Sequence, residues 1–208
     1  MQPDASAPTS IDLRRARRRL KQQRELAEAA VALAQQKGFA NTTVEEIANA
    51  ADYSASTFFR LFARKEDVLF FDLQERLGSM LEDFAREDHE PVWAMVRRTF
   101  IDNVRAWETS DPAFALARIR LFQTEPSLTP RYLESQAEWE ATVAVMVARE
   151  RGIGSDDFEC RLIASMTVAA VRAAFGTHLG DGTTFAGYLE RAFDTLEVGF
   201  AARGLTGP

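Results

Sequence analysis

The sequence predicts an all-α protein of about nine helices, a small N-terminal three-helix unit followed by a larger helical body. Three observations carry this. Apolar residues recur three and four positions apart through most of the chain, the spacing of one helix face. Capping residues, prolines and glycines punctuate that pattern at helix-length intervals. No stretch shows the alternation bounded by hairpin turns that marks strands. With 208 residues, 46% hydrophobic and 27% charged, the chain has the composition of a globular protein able to bury a sizeable core.

The elements follow in order. Residues 1–12 begin MQPDASAPTS and read as a disordered lead-in, without the apolar segment of a signal peptide. A long helix is expected from about Asp12 to Lys37, free of Pro and Gly, with Leu20, Leu26, Ala30 and Leu33 at helical intervals and Gly38 as its C-cap. Thr43-Val44-Glu45-Glu46 is a capping box, in which the Thr43 hydroxyl and the Glu46 carboxylate each serve the other's amide. The helix it starts turns Val44, Ile47 and Ala48 inward and stops by Ala51-Asp52. Ser54 is the next N-cap, and Phe58, Leu61 and Phe62 give the following short helix an apolar face. Two short capped helices across a tight turn are the helix-turn-helix plan, whose second helix enters the DNA major groove.

The body is expected to open with one helix from about Lys65 to Arg86, its Leu69, Leu73, Leu77, Met80, Leu81 and Phe84 on one broad face. Pro91 opens a helix to about Glu108. Asp111-Pro112, an N-cap with a first-turn proline, opens another to about Glu125. Thr129-Pro130 repeats the device for a helix to about Arg151, ended by Gly152 and Gly154. Asp156 and Glu159 signal a helix to about Thr177. Thr183 or Thr184 caps the last, which ends near Arg203-Gly204. The domain boundaries are then 13–70 for the DNA-binding unit and 71–208 for the body.

The residues match more than a plan. Thr43 to Ala48 (Thr-Val-Glu-Glu-Ile-Ala), Ser54 to Phe62 (Ser-x-x-Thr-Phe-Phe-Arg-x-Phe) and Lys65 to Leu69 (Lys-Glu-Asp-Val-Leu) resemble the DNA-binding end of the TetR family of bacterial repressors. Ala117 to Glu140 is similar to the regulatory domain of mycofactocin-type TetR proteins. Tyr53, Phe59 and Ala63-Arg64 depart from the Val, Tyr and Pro-Ser usual in the family; Phe59 lacks a hydroxyl that often touches a phosphate, and Arg64 is a poor N-cap. The resemblance implies a TetR-like fold, a homodimer on a palindromic double-stranded DNA operator, and release by a small-molecule effector. It also implies a pivot near Arg64 to Phe71.

Charge agrees with a DNA-binding end. The net charge of −6 is uneven: residues 1–70 hold 11 Lys and Arg against 9 Asp and Glu, a net of +2, and residues 71–208 a net of −8. Within residues 1–24 the net is +5, mostly from RRARRRLKQQR. A charge run is usually a solvated helix face. Placed directly before a helix-turn-helix, Arg14, Arg15, Arg17 and Arg18 become candidates for phosphate contact, which supplies affinity and salt dependence rather than sequence reading. Base readout falls to exposed positions near the start of the recognition helix: Tyr53, Ser54, Ala55 and Ser56, with Thr57 and Phe59 nearby and Thr43 at the preceding cap. That helix lacks an Arg or Asn/Gln aimed at bidentate base contacts, so shape, thymine methyls or water bridges carry more of the specificity. By resemblance, Lys65 is a further phosphate candidate.

In the body, Phe84, Trp93, Phe100, Trp107, Phe114, Phe122, Trp139 and Met146 concentrate aromatics and methionine. Such a stripe is ordinarily core; by resemblance these helices surround the effector cavity. Phe84, Trp93, Phe100, Trp107, Phe122, Trp139 and Met146, with Arg97 and Arg118 for an acidic head group, are therefore the candidate ligand-binding residues, and the resemblance implies an apolar effector of the fatty acid or acyl-CoA kind. The last two helices supply Val168, Val171, Phe175, Leu189, Phe193, Leu196 and Phe200, core by default, and by resemblance a four-helix bundle between two copies.

Enzyme readings fare poorly. His89 and His178 stand alone without metal-ligand spacing, no glycine-rich phosphate loop follows a strand, and no Ser, His and Asp set stands out. No cofactor or metal is expected. No window reaches the length of a membrane span, and the single cysteine, Cys160, forms no internal disulfide, as expected of a cytoplasmic protein. Cys160 itself reads as an ordinary buried thiol. Two alternatives stay open: a TetR-type activator, and an all-helical ligand-binding or interaction protein whose helix-turn-helix no longer reads DNA.

Overall fold

The computed structural model describes residues 10–84, 91–177 and 183–199. Among these residues the chain forms nine α-helices, two short 3-10 turns and no strand. It divides after Asp72 into two compact units.

The first unit holds α1 (Ser10–Lys37), α2 (Val44–Ala50), α3 (Ala55–Leu61) and a 3-10 turn at Glu66–Phe70. Residues 10–12 are helical, so α1 begins inside the stretch expected as lead-in; residues 1–9 lie outside the described residues. Leu26, Ala30 and Ala34 form the buried stripe of α1, and Phe39, Ile47, Phe58 and Leu69 close over it. Phe58 has no exposed surface, and burying a side chain of this kind contributes about 1.5–3 kcal/mol. The turn between α2 and α3 is set by Asp52 at φ 59, a left-handed conformation that its short polar side chain tolerates. The Tyr53 amide then donates to the Ala48 carbonyl at 2.8 Å.

The single helix expected from Lys65 to Arg86 is interrupted. The 3-10 turn Glu66–Phe70 is followed by a break at residues 71–72 before α4 (Leu73–Phe84) begins. Val68, Leu69 and Phe70 are all buried. Arg86 lies outside the described residues.

The second unit holds α4, α5 (Val92–Ser110), α6 (Pro112–Thr124), a 3-10 turn at Pro126–Leu128, α7 (Thr129–Arg151), α8 (Phe158–Thr177) and α9 (Phe185–Val198). Leu73, Leu77, Met80 and Phe84 form the buried stripe of α4. They meet a core in which Val96, Phe100, Val143, Val147, Ala164 and Leu189 bring in α5, α7, α8 and α9. Asp111 caps α6 by accepting from the Phe114 amide at 3.2 Å, and Thr184 caps α9. Two caps differ from expectation. Thr129 lies inside α7, preceded by the 3-10 turn, and Asp157 rather than Asp156 takes the Glu159 amide, at 2.8 Å. Gly152 ends α7 at φ 65, a conformation strained for any side chain. The last helix ends at Val198, capped by Gly199 at φ 79, short of the end expected near Arg203-Gly204; residues 200–208, His89 and His178 lie outside the described residues.

Candidate DNA-recognition and effector sites

The recognition unit is built from its two caps. The Thr43 hydroxyl accepts from the Glu46 amide at 3.2 Å, and the Glu46 carboxylate accepts from the Thr43 amide at 2.8 Å. Lys37, at the end of α1, donates to the same carboxylate. That ammonium, with the Thr43 amide, pulls the Glu46 carboxyl down from its ordinary 4.5 to about 2. Ser54 accepts from the Thr57 amide at 3.2 Å, and its hydroxyl lies 2.8 Å from that of Ser56 and 3.1 Å from that of Thr57. The start of α3 is therefore a fixed row of hydroxyls. Ser54 and Ser56 are exposed, Ala55 and Thr57 half-buried, and Phe59 stands 56% exposed.

Arg14, Arg15, Arg17 and Arg18 are all exposed along the first turns of α1. Tyr53 and Lys65 are held by the protein itself. The Tyr53 hydroxyl donates to the Glu25 carboxylate on α1 at 2.6 Å, which raises its pKa. The Lys65 ammonium donates to the Phe39 and Thr42 carbonyls, both at 3.0 Å, and lies 4.6 Å from the centre of the Phe39 ring. Its charge is turned toward the loop that ends α1. Arg60 was quoted in the motif without being nominated; it is exposed on α3 one residue from Phe59. Its position three residues after Thr57 was the available signal.

In the second unit the nominated effector residues fall into two groups. Trp93 and Trp107 lie fourteen positions apart on one helix, about 21 Å along its axis, too far to line one small site. Trp93 meets Phe193 edge-on at 5.4 Å, and Arg97 is paired with Asp194 at 2.7 Å, both toward α9. At the other end Phe100 faces Trp139 at 5.7 Å, and Trp107 faces Phe185 at 6.4 Å. Phe122 lies 6.1 Å from both Tyr132 and Phe175. Phe84 and Met146 are core. Arg118, 3% exposed, stacks its guanidinium on Trp107 and Phe114 at 5.6 and 5.5 Å, a placement suited to arginine's flat, weakly hydrated head.

Three residues here were missed. Arg76 on α4 lies over both Trp107 and Trp139, at 5.1 and 5.3 Å, and donates to the Asn103 side chain. Tyr132 and Gln136, both half-buried on α7, stood within the quoted Ala117 to Glu140 stretch. A cavity of about 660 Å³ opens elsewhere, between α5, α6 and α9, lined by Arg105, Glu108, Leu116, Ile119, Arg120 and Glu190 among others. Its charges are largely internal: Arg105 pairs with Glu190, and Glu108 accepts from the Phe185 and Ala186 amides. Cys160 is buried, and burial pushes its thiol up.

The residues expected to pair two copies divide by burial. Leu189 and Phe193 have no exposed surface in the single chain, and Val168 is buried as well, so they pack inside it, where α9 lies against α5 and α8. Val171, Phe175 and Leu196 are half-buried, and Phe200 lies outside the described residues. The outward face of α8 instead carries Phe158 (75% exposed), Leu162 (45%), Ser165, Ala169 and Ala173.

Comparison with known proteins assigns these units. Residues 26–70 match the family described as "Bacterial regulatory proteins, tetR family", and residues 90–201 match "MftR C-terminal domain". The chain is 33% identical over 176 residues to the HTH-type transcriptional regulator TcmR of Streptomyces glaucescens, covering 80% of this chain and 76% of the other. It is 24% identical over 184 residues to MftR of Mycobacterium tuberculosis, a candidate mycofactocin biosynthesis transcriptional regulator, covering 88% and 93%. Among solved structures, the TetR-family repressor FadR of Thermus thermophilus, in complex with lauroyl-CoA, superposes with a TM-score of 0.55 at 23% identity over 84% of this chain and 93% of that one. With a helix-turn-helix at its N-terminus and an MftR-type C-terminal domain, the chain belongs to the TetR family of bacterial transcriptional regulators.

Proposed function

We propose that this regulator is a ligand-responsive repressor that binds a palindromic operator as a homodimer and is released by an apolar small molecule held in the second unit. The observation that carries the DNA half is the α2–α3 pair, capped at both starts, with Ser54 exposed at the cap, Ser56, Phe59 and Arg60 exposed on α3 and an exposed arginine row on α1. One short recognition helix buries little on DNA, which favours a symmetric pair reading two half-sites. The outward face of α8 supports such a pair: Phe158, Leu162, Ser165, Ala169 and Ala173 follow one another at spacings of three and four, a single stripe of apolar and small residues.

The aromatic interior between α4 and α8 supports an apolar effector, and the lauroyl-CoA held by the Thermus relative makes fatty acyl compounds the first class to test. The residues 66–84 carry the chain from the first unit into the second, so a ligand that shifts α4 alters the recognition unit through that connection. By linkage, the effector weakens operator binding by the same factor by which operator weakens effector binding.

The test is fluorescence anisotropy on DNA from upstream of the protein's own gene, titrated against salt with a scrambled duplex as competitor. Selective binding with dimer stoichiometry, reversed by an acyl compound, is the expected result. Equal weak binding to both duplexes rejects the operator assignment for that DNA, and unchanged operator affinity with ligand bound rejects induction by that ligand.

A further inference from the structure

The wall between α6, α7 and α8 holds three polar atoms that the described residues leave without partners. Tyr132 and Gln136 lie one helical turn apart on α7 and so share a face. The Tyr132 ring stacks on Phe175 of α8 at 5.3 Å and 26°, and Phe122 of α6 lies 6.1 Å from each. Gln123, next to Phe122, donates its amide nitrogen to the Phe175 carbonyl. Among the described residues the Tyr132 hydroxyl and the Gln123 amide oxygen beside these rings, and the Gln136 amide oxygen one turn further along α7, are shut off from solvent and make no hydrogen bond. A buried polar atom without a partner is destabilising, and native proteins hold few of them. Two beside one set of rings, with a third a turn away on the same helix face, ask for an occupant.

We propose that Tyr132, Gln123 and Gln136 form the polar end of the effector site and recognise an uncharged hydrogen-bonding group (a phenol, alcohol or amide) on an apolar skeleton. This rests on the effector reading above. All three protein groups are neutral: amides do not titrate, and burial pushes the Tyr132 hydroxyl up to about 12. Arg172 of α8 is the charged group that acts on Tyr132, and its effect is smaller than that of burial. Arg172 is exposed to water, which screens it. A carboxylate entering this wall gives up its hydration for neutral partners. A hydroxyl or amide exchanges water for one donor and two acceptors of matching kind. The rings meanwhile offer flat apolar faces to the rest of the molecule.

The full-length protein is titrated calorimetrically with 2-naphthol, 2-naphthoate and naphthalene, three probes of one shape that differ in their polar group. Naphthol is expected to bind about tenfold more tightly than either of the others, the worth of one net hydrogen bond. Tyr132→Phe is expected to abolish the advantage over naphthalene while leaving naphthalene itself unaffected, and Gln136→Leu to narrow it. Tyr132→Phe also removes an unpaired buried hydroxyl, so the ligand-free Tm is expected to rise by about 2–4 °C. Tightest binding by naphthoate, equal binding by all three, no binding, or a lowered Tm in Tyr132→Phe overturns the assignment. Operator anisotropy run beside it separates the two readings. Preference for naphthol without operator release keeps this site and rejects naphthol as an inducer, whereas equal release by all three keeps the regulator and rejects this site.

Discussion

The Tyr53 hydroxyl donates a 2.6 Å hydrogen bond to the Glu25 carboxylate, joining the turn before the recognition helix to α1, twenty-eight residues earlier. In sequence Tyr53 is the first candidate for touching a base; in the fold its polar end is occupied. That bond ties the turn to α1. Tyr53→Phe keeps the ring and deletes the bond, and is expected to lower stability by about 1 kcal/mol in urea unfolding. Ser56→Ala, at an exposed hydroxyl, is expected to leave stability within about 0.5 kcal/mol and to change operator affinity instead.

The Glu46 carboxyl gives the recognition unit an acid-sensitive joint. Its pKa is held near 2 in the folded protein against an ordinary 4.5, through Lys37 and the Thr43 amide. A depressed folded pKa means that the native state prefers the ionised form. The stabilisation is therefore fully present above pH 4.5 and is lost as pH falls from 4.5 toward 2. Glu46→Gln keeps an acceptor for the Thr43 amide and removes the titration. A plot of Tm against pH is expected to be flatter for this variant across that window, with the two curves diverging as pH rises through it.

Lys65 and the α1 arginines are expected to separate a structural cation from cations that contact DNA. The Lys65 ammonium donates to the Phe39 and Thr42 carbonyls, and the Phe39 carbonyl also accepts from the Thr42 amide, so Lys65→Met is expected to destabilise by about 1–3 kcal/mol chiefly by depriving the Thr42 carbonyl of its donor. The dependence of operator affinity on salt is expected to stay as it was. Arg17→Ala, at an exposed position, is expected to do the reverse, with stability unchanged and the salt slope reduced by about one unit. Urea unfolding and anisotropy at several salt concentrations read both quantities for both variants.

Much of this fold was legible because the caps are local. Thr43, Ser54, Asp111, Gly152 and Thr184 announce helix ends through side chains or backbone angles within three residues, and each sits at the end expected of it. Where burial rather than capping decides, the sequence was less informative. The run Val68-Leu69-Phe70 is apolar on every side, so its periodicity could not show that it winds as a 3-10 turn. The same limit explains the site residues. Apolar spacing marks Leu189 and Phe193 as one face of a helix without saying whether that face meets its own chain or another. The partners of Tyr53, Lys65 and Arg97 lie 28, 26 and 97 residues away in sequence, at Glu25, Phe39 and Asp194, beyond the reach of any local pattern.

The two faces of the last helices give opposite expectations for pairing. Phe193 is fully buried against Trp93 within one chain, so Phe193→Ala opens a cavity and is expected to cost about 3–5 kcal/mol, whatever the oligomeric state. Leu162 stands 45% exposed on the outward face of α8. Leu162→Glu therefore leaves the fold of the single chain intact, changing helicity little, and places like charges opposite each other if two α8 helices meet on a two-fold axis. Light scattering behind size exclusion is expected to give a dimer for the parent chain and a monomer for Leu162→Glu, with operator affinity lost together with the dimer. A Leu162→Glu protein that stays dimeric and still binds operator would place the pairing surface off this face of α8.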